Sequence, residues 1–177
     1  MTTYTLHREQ FIPLPREFVF PFFADAGNLE RITPPFLQFS ILTPRPIDMR
    51  AGALIDYRIR LRGLPIRWRT LISTWQPPFR FVDEQVKGPY LLWRHEHTFE
   101  PAPGGTRCTD RVDYRIPGGP LAPILHRLIV RRDLERIFDY RARALADVFA
   151  QDRPADAVVK TSDPHEAHTP GPSAPAP

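Results

Sequence analysis

The longest regular pattern of apolar and polar positions runs from Pro120 to Gln151. Ile124, Leu134, Phe138, Leu145 and Phe149 recur at the helical period, with Val130, Ile137 and Val148 on the flank of that arc. Arg132, Arg136, Asp139 and Arg143 fall on the opposite side. Pro120 and Pro123 fit a first turn, where a missing N–H is no loss, and no Gly or Pro follows until Pro154. A helix of about 30 residues at 1.5 Å per residue is roughly 45 Å long, enough to cross a small domain. Arg127 and Arg131 share the arc of Phe138 and Leu145, so the spacing places both on the covered side. There they either snorkel toward water or offer cations to a cavity, with Asp83 and Asp110 as the carboxylates in reach. Arg141 lies close to the stripe and suits the negative end of the helix dipole.

Upstream, the periodicity changes from helical to alternating. Tyr4 to Ile12 predicts a first strand, followed by two short helices, Arg16 to Phe23 and Asp25 to Arg31, with Phe18, Val19 and Phe22 as the apolar face of the first. Leu37 to Leu42 predicts a second strand. Leu54 to Arg62 then alternates, with Ile55, Tyr57, Ile59 and Leu61 on one face, and Ile66, Trp68, Thr70 and Ile72 answer it after a Gly63-Leu64-Pro65 turn. That turn sets Arg62 opposite Arg67 and Arg60 opposite Arg69, on an outer face that also carries Arg58. Phe79 to Val86 is a further strand whose inward face the pattern leaves open: Phe81, Asp83 and Gln85, or Val82, Glu84 and Val86.

Two more strands carry the candidate chemistry. Leu91, Trp93, His95, His97 and Phe99 share one face, and the Trp and Phe mark it as the inner one. Cys108, Asp110, Val112, Tyr114 and Ile116 form the inner face of the next strand. Opposite charges across a ladder favour a register that pairs Glu100 with Arg107, Glu96 with Arg111 and Arg94 with Asp113. On the inside, the same register sets Trp93 against Tyr114, His95 against Val112 and His97 against Asp110. An inward His beside an inward Asp is either a satisfied structural pair or a polar patch that orients a ligand oxygen or moves a proton. His95 and His97 could ligate a metal together, but no third ligand stands at a diagnostic spacing, so no metal is expected. There is no nucleophile motif or phosphate-binding glycine loop, and no cofactor is expected.

Composition narrows the picture. The 177 residues, 42% hydrophobic and 25% charged, suit one domain with a real core. Several of the 22 prolines cluster at the end, and no aromatic residue follows Phe149. Residues 152–177 therefore read as a disordered Pro/Ala-rich tail, holding His165 and His168, and 1–151 as the folded domain. The single cysteine, Cys108, leaves no internal disulfide and points to a reducing cytoplasm. No apolar run reaches membrane-spanning length. The net charge of +4 is mild, and the arginines of the Leu54–Trp75 hairpin lack interleaved aromatic platforms, so nucleic acid is not expected as a partner.

Three runs, FFADAGNLERITPPFL, FVDEQVKGPYLLWRHEHTFEP and GGTRCTDRVDYRIPGGPLAPILHRLIVRRDLERIFDYR, resemble the cyclase-like ligand-binding branch of the START-like (SRPBCC) superfamily. The resemblance covers Tyr4 to about Phe149. It implies an α+β helix-grip fold, in which a curved antiparallel sheet of about seven strands wraps a long C-terminal helix, and a pocket for a hydrophobic small molecule such as a lipid, isoprenoid or polyketide. The expected lining is Tyr57, Ile59, Trp68, Trp93, His95, His97, Asp110, Tyr114, Ile124 and Leu128, with Arg127 and Arg131. A non-catalytic binder is one reading. The other is a polyketide cyclase or dehydratase using His97 and Asp110 as a proton-handling pair.

Overall fold

A computed structural model describes residues 2–151; the tail boundary, His165 and His168 lie outside the described residues. Strand β1 (Tyr4–Ile12) leads into helix α1 (Arg16–Ala24) and a 3-10 turn, Ala26–Glu30, whose Asp25 side chain accepts from the Gly27 N–H. Six strands follow: β2 (Ser40–Ile41), β3 (Leu54–Leu61), β4 (Leu64–Gln76), β5 (Arg80–Lys87), β6 (Leu92–Ala102) and β7 (Gly105–Arg115). They form one antiparallel sheet in the order β1-β7-β6-β5-β4-β3-β2. The C-terminal helical stretch comprises α2 (Ala122–Leu125), a π turn over His126–Val130 and α3 (Arg131–Gln151). This is the helix-grip arrangement, the long helix lying against the inner face of the sheet.

The β6–β7 register pairs Glu100 with Arg107, Glu96 with Arg111, Arg94 with Asp113 and His97 with Asp110, as the charge pattern requires. The β3–β4 hairpin departs from expectation. Its turn is the two residues Arg62 and Gly63, at φ 52° and 84°, rather than one centred on Leu64 and Pro65. Two residues at positive φ match the twist of the flanking strands, which a turn through Pro65, held near φ −65°, cannot do. The slip puts Arg69 opposite Asp56, which it grips with two hydrogen bonds of 2.7 and 2.8 Å, and leaves only Arg58 facing Arg67 among the like-charged pairs. The predicted second strand shrinks to two residues, because a 3-10 turn at Pro35–Leu37 and left-handed Gln38 (φ 42°) precede it. Phe18 is exposed, and the covered face of α1 is Val19, Phe20 and Phe22. In β5, Phe81 and Asp83 are the residues that face the helix side.

The helix phase also needs correction. The Arg131 N–H bonds to the His126 carbonyl, five residues back, and this wider turn rotates everything before it relative to α3. Leu134, Phe138, Leu145, Val148 and Phe149 are buried, but Ile124 and Leu128 are more than half exposed and Arg127 is exposed. Arg131 points to solvent and pairs with Glu135 one turn on, at 2.8 Å. Neither Arg127 nor Arg131 meets Asp83 or Asp110.

The core gathers in three clusters. One joins α1 to the C-terminal half of α3 through Phe20, Phe22, Phe99 and Phe149; a second packs Val112, Tyr114, Leu134 and Phe138; a third lies under β3 and β4 around Ile55 and Ile72. Each large side chain buried this way contributes about 1.5–3 kcal/mol. The space between the clusters is not filled.

Candidate functional site

That space is a cavity with about 160 Å³ open to the centre of a water-sized sphere. Its walls follow from strand alternation: Tyr57 and Ile59 of β3, Trp68 and Thr70 of β4, Phe81 and Asp83 of β5, and Trp93, His95 and His97 of β6 all point to the same side. Ile137, Phe138 and Arg141 close it from α3. Tyr57 stacks on Trp68 at 5.8 Å, and Trp93 meets Trp68 edge-on at 5.3 Å, so one wall is aromatic. The Tyr57 hydroxyl lies 3.3 Å from Thr70 Oγ1, and burial, with the Asp83 charge nearby, pushes its pKa up. The Trp68 indole N–H is buried without a hydrogen-bond partner.

The adjoining wall, continuing along β6 from Trp93, is polar. His95 and His97, 4% and 5% exposed, stand two residues apart on β6 with ring centroids 3.8 Å from each other. Asp83 flanks them from β5 and Asp110 from β7. His97 Nε2 is 3.0 Å from Asp83 Oδ2, and His95 Nε2 is 2.8 Å from Asp110 Oδ1. His95 Nδ1 is 3.5 Å from Asp83 Oδ2. His97 Nδ1 comes within 2.8 Å of Asp110 Oδ1, but out of line for a hydrogen bond. His97 also stacks on Phe81 at 4.1 Å, which fixes its ring plane.

Burial and charge pull these four groups in opposite directions. Burial alone would raise both carboxyl pKa values, yet the two imidazoles outweigh it, holding Asp83 below the usual carboxylate range and Asp110 well below it. Burial, helped by neighbouring His97, pushes His95 down against the pull of Asp83 and Asp110. His97 goes the other way: Asp110 and Asp83 overcome its desolvation and raise it. Arg141 adds a cation from the helix and acts on Asp83. Its Nε is buried without a hydrogen-bond partner, and its guanidinium lies 5.2 Å from the centre of the Phe138 ring.

Residues 12–139 match the family described as polyketide cyclase / dehydrase and lipid transport. The chain belongs to this family. Its members, within the SRPBCC group, bind hydrophobic ligands or act as polyketide cyclases. Among solved structures, the Zhui aromatase/cyclase of a Streptomyces species is similar with a TM-score of 0.70 and 15% identity, over 87% of this chain and 98% of that one. Ara h 8.0201 is similar at 0.62 and 15%, over 85% and 100%. Major latex-like protein 151 of Panax ginseng is similar at 0.59 and 12%, over 86% and 99%. At these identities the likeness concerns the fold. No curated protein matches the chain.

Of the residues expected at the site, Tyr57, Ile59, Trp68, Trp93, His95 and His97 line this cavity. Tyr114 does not: it packs in the second core cluster and shares a 2.8 Å hydrogen bond with His126, on which Tyr4 stacks. Asp110 stands behind the histidines and lines a smaller back pocket. Ile124, Leu128 and Arg127 lie outside, for the reason of helix phase given above; Arg131, the first residue of α3, keeps the phase of Phe138 but turns its side chain to Glu135 and solvent. Two side chains that the sequence reading did not place here are central to it. Asp83 belongs to the strand whose inner face was ambiguous. Arg141 falls on the 134, 138, 141, 145 seam, where the alternating spacing of four and three carried the signal.

Proposed function

We propose that the protein binds one hydrophobic small molecule bearing an oxygen-rich end, with its apolar body against Tyr57, Trp68 and Trp93 and its oxygen toward Arg141. The supporting observation is the asymmetry of the cavity: one aromatic wall, one charged wall, and a buried Arg141 Nε and Trp68 N–H that have no hydrogen-bond partner among the described residues. Buried donors of this kind cost free energy unless something accepts from them, and a ligand carbonyl or carboxylate does so. A lipid, isoprenoid or polyketide carries both parts. Anilinonaphthalene sulfonate is a suitable probe, since it pairs an aromatic body with an anion. It should saturate at one per chain and take up emission from Trp68 and Trp93, and Ile59→Trp, which fills the cavity, should abolish this. Unsaturable binding, or binding unaffected by Ile59→Trp in the folded protein, contradicts the reading.

A second reading, cyclase or dehydratase catalysis, is favoured by the placement of His97 and Asp83 on the cavity wall, 3.0 Å apart. In it the proton-handling pair is His97 with Asp83, and Asp110 positions the ring from behind. Asp83→Asn should then abolish turnover of a ketone-bearing substrate while leaving probe binding intact.

A further inference from the structure

We propose that Asp83, His95 and His97 form a site for one divalent first-row transition-metal ion, with Asp110 as the outer carboxylate that orients both rings. The argument begins with nitrogen and proton counting. Two imidazoles present four ring nitrogens, and each faces a carboxylate oxygen: His97 Nε2 and His95 Nδ1 face Asp83 at 3.0 and 3.5 Å, and His95 Nε2 and His97 Nδ1 face Asp110 at 2.8 Å each. Donating from all four would require both rings to be doubly protonated inside a buried site. A neutral imidazole has one N–H and one lone pair. If the His95 ring carries its one N–H on Nε2, where it is in line with Asp110, its Nδ1 lone pair is left 3.5 Å from an Asp83 oxygen, an arrangement in which two acceptors meet.

A cation on the Asp83 side resolves this. His95 Nδ1 and His97 Nε2 become ligands through their lone pairs, and Asp83 Oδ2 is the third ligand. Both remaining ring nitrogens lie 2.8 Å from Asp110 Oδ1, that of His95 aligned to donate and that of His97 needing a small turn of its ring to do so. That is the usual outer arrangement for metal-bound histidines, whose second nitrogen donates to a carboxylate. Two donors each about 2.1 Å from an ion, at tetrahedral or octahedral angles, are about 3.0–3.4 Å apart. Asp83 Oδ2 stands 3.0 and 3.5 Å from the two ring nitrogens, and all three atoms lie within 4.8 Å of one another, so a small closure of the side chains completes the site. The strands supply the geometry without loops. His95 and His97 alternate onto one face of β6, and Asp83 is the cross-strand partner of His95 in β5.

Two imidazoles and one carboxylate suit Zn²⁺, Fe²⁺, Co²⁺ or Ni²⁺ rather than Ca²⁺ or Mg²⁺, which prefer all-oxygen sites. Charge also closes. The ion replaces the proton that His97 Nε2 shares with Asp83, and its two positive charges balance Asp83 and Asp110, leaving Arg141 as the surplus cation. Three protein ligands leave further coordination positions. Because Asp83, His95 and His97 line the main cavity and Asp110 does not, those positions face the cavity.

The test uses the metal-stripped full chain with Co²⁺ or Zn²⁺ alone and no apolar ligand, so its outcome is separate from that of the cavity-ligand reading. Near neutral pH the protein should take up one ion per chain, with visible Co²⁺ d–d absorption. The heat should vary with the ionisation enthalpy of the buffer, because a proton leaves on binding. Asp83→Ala should abolish binding, and Asp110→Asn should weaken it about 10–100-fold. A His165→Ala, His168→Ala double variant should bind as before, which excludes the tail histidines. Circular dichroism checks that each variant is folded, and Asp83→Asn, closer in shape, replaces Asp83→Ala should the latter fail. No saturable binding by the wild-type chain overturns the proposal. So does binding that survives loss of the Asp83 carboxylate, or binding lost with the tail histidines.

Discussion

Arg141 shows how much one side chain decides. It sits on the buried seam of α3, lines the cavity with the charged wall and leaves its Nε without a hydrogen-bond partner among the described residues. Arg141→Met keeps the length and removes the charge, so it should weaken binding of an anionic probe at least tenfold while shifting the melting temperature little; a fluorescence titration reads this. Glu96, on the outer face of β6, illustrates the opposite case, a charge whose role is structural. Burial raises its pKa, but hydrogen bonds from Arg94 and Arg80, at 3.0 and 2.7 Å, bring it below the ordinary 4.5. A carboxyl lowered in the folded state contributes stability above its unfolded pKa and loses that contribution as the pH falls through the folded value. Glu96→Gln should therefore cost roughly 1 kcal/mol at pH 7, and urea denaturation across an acid series should show that cost shrinking as the pH falls below 4.5.

At the scale of elements, the hairpin tip and the helix are tied together. Arg62, in the β3–β4 turn, donates two 2.9 Å hydrogen bonds to Asp133 at the start of α3. The contact joins β3, whose Leu61 lines the cavity, to the helix that carries Leu134 and Ile137. Asp133→Ala should leave the fold and the melting temperature nearly unchanged and speed probe release several-fold, which stopped-flow fluorescence can follow. This clasp was not legible in the sequence, because it depends on a two-residue turn at Arg62-Gly63, and the Leu64-Pro65 pair drew the reading two residues onward. The β6–β7 register was legible, because several charge pairs agreed on one alignment and disfavoured its neighbour. The start of the long helix was misread for a physical reason. A π turn leaves no mark in the spacing of apolar residues, so Arg127 kept a phase that the chain abandons at His126, whereas Arg131 keeps the phase and snorkels to Glu135. Arg141 was legible in principle. Its charge drew attention away from its position on the seam.

For the whole molecule, the core gathers in clusters that meet only at their edges, Leu29 and Trp75 packing against two of them, and the centre between sheet and helix stays unfilled. A small domain gives up stability to keep such a space, since each unfilled gap forfeits contacts that a closed core would make. Ile59→Trp should accordingly hold or raise the melting temperature while removing ligand capacity, the opposite of what the same enlargement does in a close-packed core. The central claim is that the space holds a hydrophobic ligand. Native mass spectrometry tests it most directly, on protein purified without detergent and incubated with a total lipid and pigment extract. The account predicts a one-to-one adduct of a single apolar compound class, present on the wild-type chain and missing from Ile59→Trp. The bare mass of the chain alone, or an adduct that Ile59→Trp retains equally, would contradict it.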